Sequence, residues 1–223
     1  MFRIELHMHT KYGSGCGEMD EKELVRGYLD AGYQALVVTD HFNRDSFQYM
    51  GINPKDGEKC LDRFLLGYEK VLAEGSRQGL KVYRGAEIRF DGSFNDYLLL
   101  GYSDKLLSDP EKLFSVGLEA FVRESRAEGA LLIQAHPFRR MCAVADHRYL
   151  DGVEVLNKHP GHDSHNDLAW EYARRWPGLI RTSGSDCHIP KHLGRGGITV
   201  EKLPKDEAEL VALLRSGEYG LIG

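Results

Sequence analysis

Short apolar runs in this chain end, one after another, on a histidine or a carboxylate. Ile4–His9 reads I-E-L-H-M-H, Ala35–His41 reads A-L-V-V-T-D-H, Leu131–His136 reads L-L-I-Q-A-H and Ile180–His188 reads I-R-T-S-G-S-D-C-H. A fifth run, Val82–Phe90, carries Glu87 in the same place. Brief stretches rich in Val, Ile and Leu predict strands of a parallel sheet buried on both faces. Metal-ligand side chains at the carboxyl ends of such strands gather on one rim, where α/β proteins place their active sites. The recurrence predicts a multinuclear metal site built from both ends of the chain.

Between these runs the chain alternates helix and strand. Helical spacing marks Asp20–Ala31, Glu58–Gln78 (closed by Gly79), Pro110–Glu128, Asn166–Trp176 and Lys205–Ser216. Further strands are expected at Lys81–Phe90, Asp96–Tyr102, Ala130–His136, Gly152–Leu156, Leu179–Gly184, Ile198–Val200 and Tyr219–Ile222. Asn43–Gly57, with Pro54 and several polar residues, reads as a long loop over the site. Repeats and linkers are not evident, and 223 residues suffice for one α/β core, so residues 1–223 are expected to form one domain.

The 34 acidic and 29 basic residues leave a net charge of −5, which argues against an extended nucleic-acid-binding surface but not against a nucleotide in a local pocket. No stretch approaches the roughly 20 apolar residues of a membrane span, and M-F-R-I-E-L-H runs into a strand without a signal-peptide pattern. A cytoplasmic protein is the expectation. Its four cysteines, Cys16, Cys60, Cys142 and Cys187, are scattered without a C-x-x-C pair and are expected to be free thiols.

Taken singly, the polar motifs are ordinary. His7 and His9, two apart in a strand, leave the same face and can grip one ion, but solvated histidines show the same spacing. Asp40 before His41 also reads as a turn cap. Glu87 says more, because a carboxylate inside an apolar strand is costly unless it meets a cation. His136, at the end of an apolar strand, needs a partner for the same reason. Asp186-x-His188 repeats the H-x-H logic with a harder oxygen ligand. Five such motifs on one rim are hard to account for as core residues.

Together, H-M-H-T at 7–10, T-D-H at 39–41, G-A-E at 85–87, A-H-P at 135–137 and G-S-D-C-H at 184–188 resemble the PHP (polymerase and histidinol phosphatase) domain, as does L-G-R-G-G at 193–197. The resemblance covers nearly the whole chain. It implies a distorted (β/α)7 barrel holding two or three divalent ions, zinc, manganese or iron, and it implies phosphoester hydrolysis. It further implies that His7, His9, Glu87 and Asp186 hold a first ion and that Glu87 bridges to a second ion bound by His136. His41 and His188 would serve a third site or meet the phosphate. Glu87, Asp186, His188 and His41 are thus the candidate catalytic residues, with attack by a metal-bound hydroxide.

Two positions depart from the family pattern. After H-x-H-T the usual ligand is missing from G-S-G-C-G at 13–17, so Cys16 or Glu18 is the candidate replacement, or the third ion is weak or absent. In the strand after the glutamate, Asp96 stands where many members carry histidine; it would share a face with Leu98. Arg89, Arg139 and Arg195 are candidate phosphate contacts, because a guanidinium pairs with two oxygens at once. The polar stretch Asn157–Asn166 follows a strand and holds three histidines; Asn157, His162 and Asn166 are the candidates there for substrate or outer-shell roles. A solvated loop capping the next helix has the same composition.

The expected function is hydrolysis of a small phosphomonoester, a nucleotide or a sugar or metabolite phosphate, with no membrane partner and no extended nucleic acid. The alternatives within hydrolases are a histidinol-phosphate phosphatase or an oligonucleotide exonuclease. A different class, a regulatory domain keeping its metals without catalysis, fits less well because structural sites are closed by four protein ligands.

Overall fold

The computed structural model describes residues 1–223, the side chain of Glu58 excepted. Ten strands and eight α-helices alternate in it. The strands are β1 (Phe2–Glu5), β2 (Ala35–Val38), β3 (His41–Phe42), β4 (Lys81–Arg89), β5 (Asp96–Leu100), β6 (Leu131–Gln134), β7 (Gly152–Asn157), β8 (Ile180–Gly184), β9 (Gly197–Val200) and β10 (Gly220–Ile222). The helices are α1 (Glu21–Asp30), α2 (Arg44–Tyr49), α3 (Glu58–Gln78), α4 (Asp104–Leu107), α5 (Pro110–Val116), α6 (Leu118–Ala127), α7 (Asn166–Arg175) and α8 (Glu207–Ser216).

Local chemistry sets several boundaries. Asp20 and Glu23 form a reciprocal capping box at the start of α1, which buries Leu24, Val25 and Tyr28. The single helix expected over Pro110–Glu128 is two, because Gly117 adopts φ 75° and ψ 165° and breaks it into α5 and α6. The segment 43–57, expected to be a loop, contains α2, capped by the Asn43 side chain on Ser46 N–H.

The strands run in the order β10-β9-β1-β2-β4-β5-β6-β7-β8, with β3 beside β4. The sheet is mixed rather than parallel: β5 lies antiparallel to both β4 and β6. The connection 90–95 is too short for the crossover a parallel pair needs, so β4 and β5 form a hairpin. That inversion matters for the site. It places the first residue of β5, Asp96, on the rim that β1, β2, β4, β6, β7 and β8 reach with their carboxyl ends.

Two seams bring the sheet to a nearly closed barrel. Past the end of β1, Met8 bridges Cys187 beyond β8, with His9 N–H donating to Cys187 O at 2.9 Å. Lower down, Ser183 Oγ donates to Ile222 O and accepts from Gly197 N at 3.2 Å. Alternation divides the core. Ile4, Ala35, Val37, Tyr83, Leu98, Leu100, Leu131 and Ile133 pack inside with Leu210, Val211 and Leu214 of α8. Leu36, Val38 and Val82 face outward against α1 and α3, while Ala86, Ile88 and Leu99 pack in a second outer layer. Glu87 continues the inward parity of Tyr83, and Asp96 that of Leu98. No helix among the described residues is long and apolar enough to cross a membrane.

Glu5 ties the seam together. Its Oε1 accepts from Leu6 N (3.1 Å), His7 N (3.1 Å) and Ser185 N (2.9 Å), and Oε2 accepts from Tyr28 Oη (3.2 Å). Burial outweighs these bonds and pushes its carboxyl from 4.5 up to about 7. Between those two values the folded protein holds a proton that the unfolded chain releases. Glu5 therefore makes folding progressively less favourable as pH rises through that window, with no further change above it. Glu5→Gln removes this slope. On urea unfolding, the variant is expected to gain roughly 3 kcal/mol on the parent between pH 4.5 and 7. Parallel stability profiles would show that the carboxyl is not shifted.

Candidate metal centre

The rim residues converge on Glu87. Its Oε1 lies 3.3 Å from His7 Nε2 and 3.2 Å from His136 Nε2; its Oε2 lies 2.8 Å from His41 Nδ1 and 3.5 Å from His9 Nε2. Asp186 Oδ1 stands 3.5 Å from His7 Nε2 and 3.3 Å from His9 Nε2. Sets of donor atoms within 4.8 Å of one another are His7–His9–Asp186, His7–Glu87–His136, His9–His41–His188 and His41–Glu87–Asp96.

Surrounding groups decide which nitrogen each imidazole presents. His7 Nδ1 faces Glu154 Oε1 at 3.0 Å, an acceptor, so in the neutral ring Nδ1 carries the hydrogen and Nε2 the lone pair. His188 Nδ1 is likewise turned to Asp186 O at 2.8 Å. His9 Nδ1 meets Ser14 Oγ at 3.1 Å, and Ser14 in turn donates to Asp40 Oδ1 at 2.9 Å. Asp40 also accepts from Thr10 N and Thr10 Oγ1, both at 2.7 Å, which orders the loop that delivers Ser14. Glu154 Oε2 accepts from His136 N (3.0 Å) and Asn157 Nδ2 (2.9 Å). Asp186 is oriented the same way: Oδ2 takes Arg139 Nη2 (2.6 Å) and Asn157 Nδ2 (3.3 Å), leaving Oδ1 to the imidazoles.

The backbone is strained here and tightly packed. His136 (φ 30°) and Asp186 (φ 48°) occupy the left-handed region that side-chain-bearing residues avoid. Gly184 lets β8 approach β1, since a Cβ there would sit 2.4 Å from His7 Cβ and 2.5 Å from Glu154 Oε1.

The fit of a cation is tested by what is left over. His7 Nε2, His9 Nε2, His41 Nδ1 and Glu87 Oε2 are buried without a hydrogen-bond partner, and they point at one another. Buried polar atoms left unpaired cost roughly 1–3 kcal/mol each. Four of them facing one space, each a ligand type, fit a divalent metal ion. Protons take part of that role when the cluster holds no ion. Burial works against charge on His7 and His41, but the facing carboxylates (Glu154, Asp186 and Glu87 for His7; Glu87 for His41) raise both well above the usual value, and His136 is pushed up to about 9. Burial and the neighbouring His188 and His41 hold His9 well below it. Burial raises Glu87 and Asp186, yet the imidazoles outweigh it and keep both carboxyls well below the carboxylate range.

All seven of the main ligand candidates, His7, His9, His41, Glu87, His136, Asp186 and His188, come together. Of the doubtful ones, Cys16 is exposed and lines the cavity above them; partial desolvation of its thiol opposes ionisation, but hydrogen bonds from His188 and His41 bring it down to about 6. Glu18 is exposed and outside the lining. Asp96 joins the His41–Glu87 set, with Oδ2 4.0 Å from His136 Nε2, and is gripped by Arg89 through two 2.8 Å bonds. Arg89, Arg139 and His162 line the cavity; Arg195 does not, and its Nε donates to Lys191 O at 2.9 Å. Asn157 is buried behind Asp186, an outer-shell position. Glu154, Glu5, Ser14, His159 and His192 were not foreseen. The first two carried a legible signal, since each is a carboxylate within an apolar strand.

A barrel sheet carrying imidazoles and carboxylates on one rim defines an α/β protein with a candidate metal-binding rim. The family model for the PHP domain matches residues 5–221, and the chain belongs to that family. Solved structures with the same fold include a two-domain protein from Bacteroides vulgatus containing a predicted PHP-like metal-dependent phosphoesterase (TM-score 0.69, 16% identity, 99% of this chain and 64% of that one). PsfC from Pseudomonas syringae is similar at TM-score 0.65 and 20% identity, over 89% of this chain and 82% of that one. The lesion-specific endonuclease PfuEndoQ from Pyrococcus furiosus is similar at TM-score 0.65 and 16% identity, over 99% of this chain and 57% of its own length. The chain thus spans less than two thirds of the Bacteroides and Pyrococcus proteins. Comparison with curated proteins gave no significant match.

Binding a cation here must displace the protons held by His7, His41 and His136. Apparent metal affinity is therefore expected to rise with pH by about tenfold per pH unit for each proton released, with the His136 contribution ending near pH 9. Titration with a metal-sensitive dye at successive pH reads this directly, and a pH-independent affinity would contradict it. Protein prepared with ample metal should carry at least two tightly held ions by elemental analysis. Glu87→Gln should lose more metal than Cys16→Ser or Asp96→Asn.

Proposed function

We propose that this protein is a metal-dependent phosphoesterase acting on a small phosphomonoester, a nucleotide or a sugar or metabolite phosphate. The observation that carries the reading is the meeting of four unpartnered buried ligand atoms beneath a cavity of about 320 Å³ whose wall includes Arg89 and Arg139. Cations below and guanidiniums beside a pocket of that size suit a phosphate on a small leaving group. Mixed imidazole and carboxylate donors suit zinc, manganese or iron better than magnesium or calcium. Two or three such ions would be held by the residues grouped above, with residues 1–223 acting as one unit. Bound there, they would supply Lewis acidity and a water acidic enough to be deprotonated near neutral pH.

The chain's own residues do the positioning. Glu87 offers one oxygen to the His7–His136 side and the other to the His9–His41 side, the arrangement of a bridging carboxylate. Arg139 holds Asp186 with Nη2 and also lines the cavity, so one guanidinium secures a ligand and borders the space where a phosphate would sit. His41 and His188 have side chains 17% and 15% exposed against 0% for His7 and His9. They are the imidazoles placed to meet the phosphate or its leaving oxygen. Arg89 is committed to Asp96 and contributes chiefly by offsetting that carboxylate. A net charge of −5 and the small cavity favour a small substrate over a long nucleic acid. Four free cysteines fit the reducing cytoplasm.

A panel of phosphomonoesters, phosphodiesters and oligonucleotides tested on the metal-loaded protein decides the substrate class. Turnover of monoesters, abolished by chelation and restored by metal, is expected. Activity confined to oligonucleotides would overturn the small-substrate reading, and no hydrolysis across the panel would overturn the phosphoesterase reading. Arg139→Lys keeps the charge but not the fork, so kcat/KM should fall about ten- to a hundredfold with metal content intact.

A further inference from the structure

A second group of imidazoles stands beside the ligand cluster, with ring nitrogens of His159, His188 and His192 within 4.8 Å of one another. Proximity alone would make this one more metal site. The hydrogen bonds say otherwise. His159 Nδ1 accepts from Gly161 N at 3.0 Å, so in the neutral ring its hydrogen sits on Nε2. His192 is held in the same sense, with Nδ1 accepting from His188 N at 3.4 Å. This is the reverse of His7, His9 and His188, whose Nδ1–H donates outward and whose Nε2 keeps a lone pair. A metal on His159 Nε2 would force the hydrogen onto Nδ1, directly against the Gly161 N–H.

We infer that His159 is a substrate-contacting residue whose Nε2–H donates to a phosphate oxygen, and not an additional metal ligand. This rests on the phosphoesterase reading and deepens it. His159 lines the same cavity as His188 and Arg139 and lies 5.4 Å, ring to ring, from His188. Its backbone is fixed as firmly as its ring. His159 N donates to Asn157 Oδ1 at 3.2 Å, Asn157 N to Asn166 Oδ1 at 2.9 Å, and Asn166 Nδ2 back to Asn157 O at 3.0 Å. The loop is thereby stitched at its base, and at its tip a Cβ on Gly161 would lie 2.9 Å from His159 Cε1 and press on the ring. The donor is in place before substrate arrives, which spares the ordering cost of binding. Gly161 N–H, donating to Nδ1, favours the neutral ring with its hydrogen on Nε2.

The test uses the isosteres of the two ring nitrogens. The amide nitrogen of Gln can stand in for Nε2 and that of Asn for Nδ1. In manganese-loaded protein, the affinity for inorganic phosphate is measured by calorimetry and metal content by elemental analysis, with p-nitrophenyl phosphate turnover alongside. His159→Ala and His159→Asn should bind phosphate about ten- to a hundredfold more weakly with metal content unchanged, and His159→Gln should recover much of the loss. Loss of one ion per chain in His159→Ala would make it a metal ligand and overturn the inference. Phosphate affinity unchanged in all three variants would overturn it too, leaving the phosphoesterase reading intact. A wild-type holoprotein that neither binds phosphate nor hydrolyses phosphoesters would remove that reading and this inference together.

Discussion

A single carboxylate, Glu87, stands with its two oxygens within 3.5 Å of nitrogens from four imidazoles, and the rim is organised around it. Burying a carboxylate is tolerable only where charge of the opposite sign is close and well oriented. Here His7 and His9 come from the end of β1, His41 from β3 and His136 from beyond β6, so compensating one group requires the barrel to be assembled. The coupling also runs the other way. The β1–β8 seam through Met8 and Cys187, and the Gly184 approach that permits it, set where His7 and Asp186 stand relative to Glu87. Fold closure and ligand geometry are one constraint seen from two sides.

The ligands themselves were legible in the sequence because a parallel α/β sheet delivers strand ends to one rim, and each ligand stands at or just past such an end. The direction of β5 was not legible from periodicity, which is the same for parallel and antiparallel strands. It lay instead in the shortness of the 90–95 connection. The helix break at Gly117 and the helix within 43–57 were missed for a related reason: one glycine or one Asn cap outweighed the pattern around it. Within the site, an argument sound for Glu87 applied equally to Glu154 in G-V-E-V-L-N and to Glu5 in I-E-L-H. Both are fully buried carboxylates between apolar neighbours, and both hold ligand-bearing backbone or rings. Arg195, by contrast, owes its candidacy to a Gly-rich neighbourhood, and its guanidinium Nε is spent on a local carbonyl.

Hydrogen-bond direction adds information that distances do not contain. Three imidazoles give Nδ1–H to an oxygen, and two take an N–H on Nδ1, so similar clusters at similar separations present lone pairs in one case and hydrogens in the other. A lone pair suits a cation; an N–H suits an anion. The boundary between the two sets runs through His188, which belongs to the cation side by its own tautomer while its backbone N–H fixes the opposite tautomer of His192.

Asn157 joins these two halves. Its Nδ2 reaches both Glu154 and Asp186, and its Oδ1 accepts from Arg139, Ser164 and the backbone of His159. An amide supplies donors and an acceptor on one rigid plane, which no carboxylate does. An Asp at this position would lose both donors and set a second charge against Glu154 and Asp186. The metal ligands, the guanidinium and the loop over the cavity therefore share one small side chain as their common reference, so displacement of Asn157 would shift the cation floor and the anion wall together.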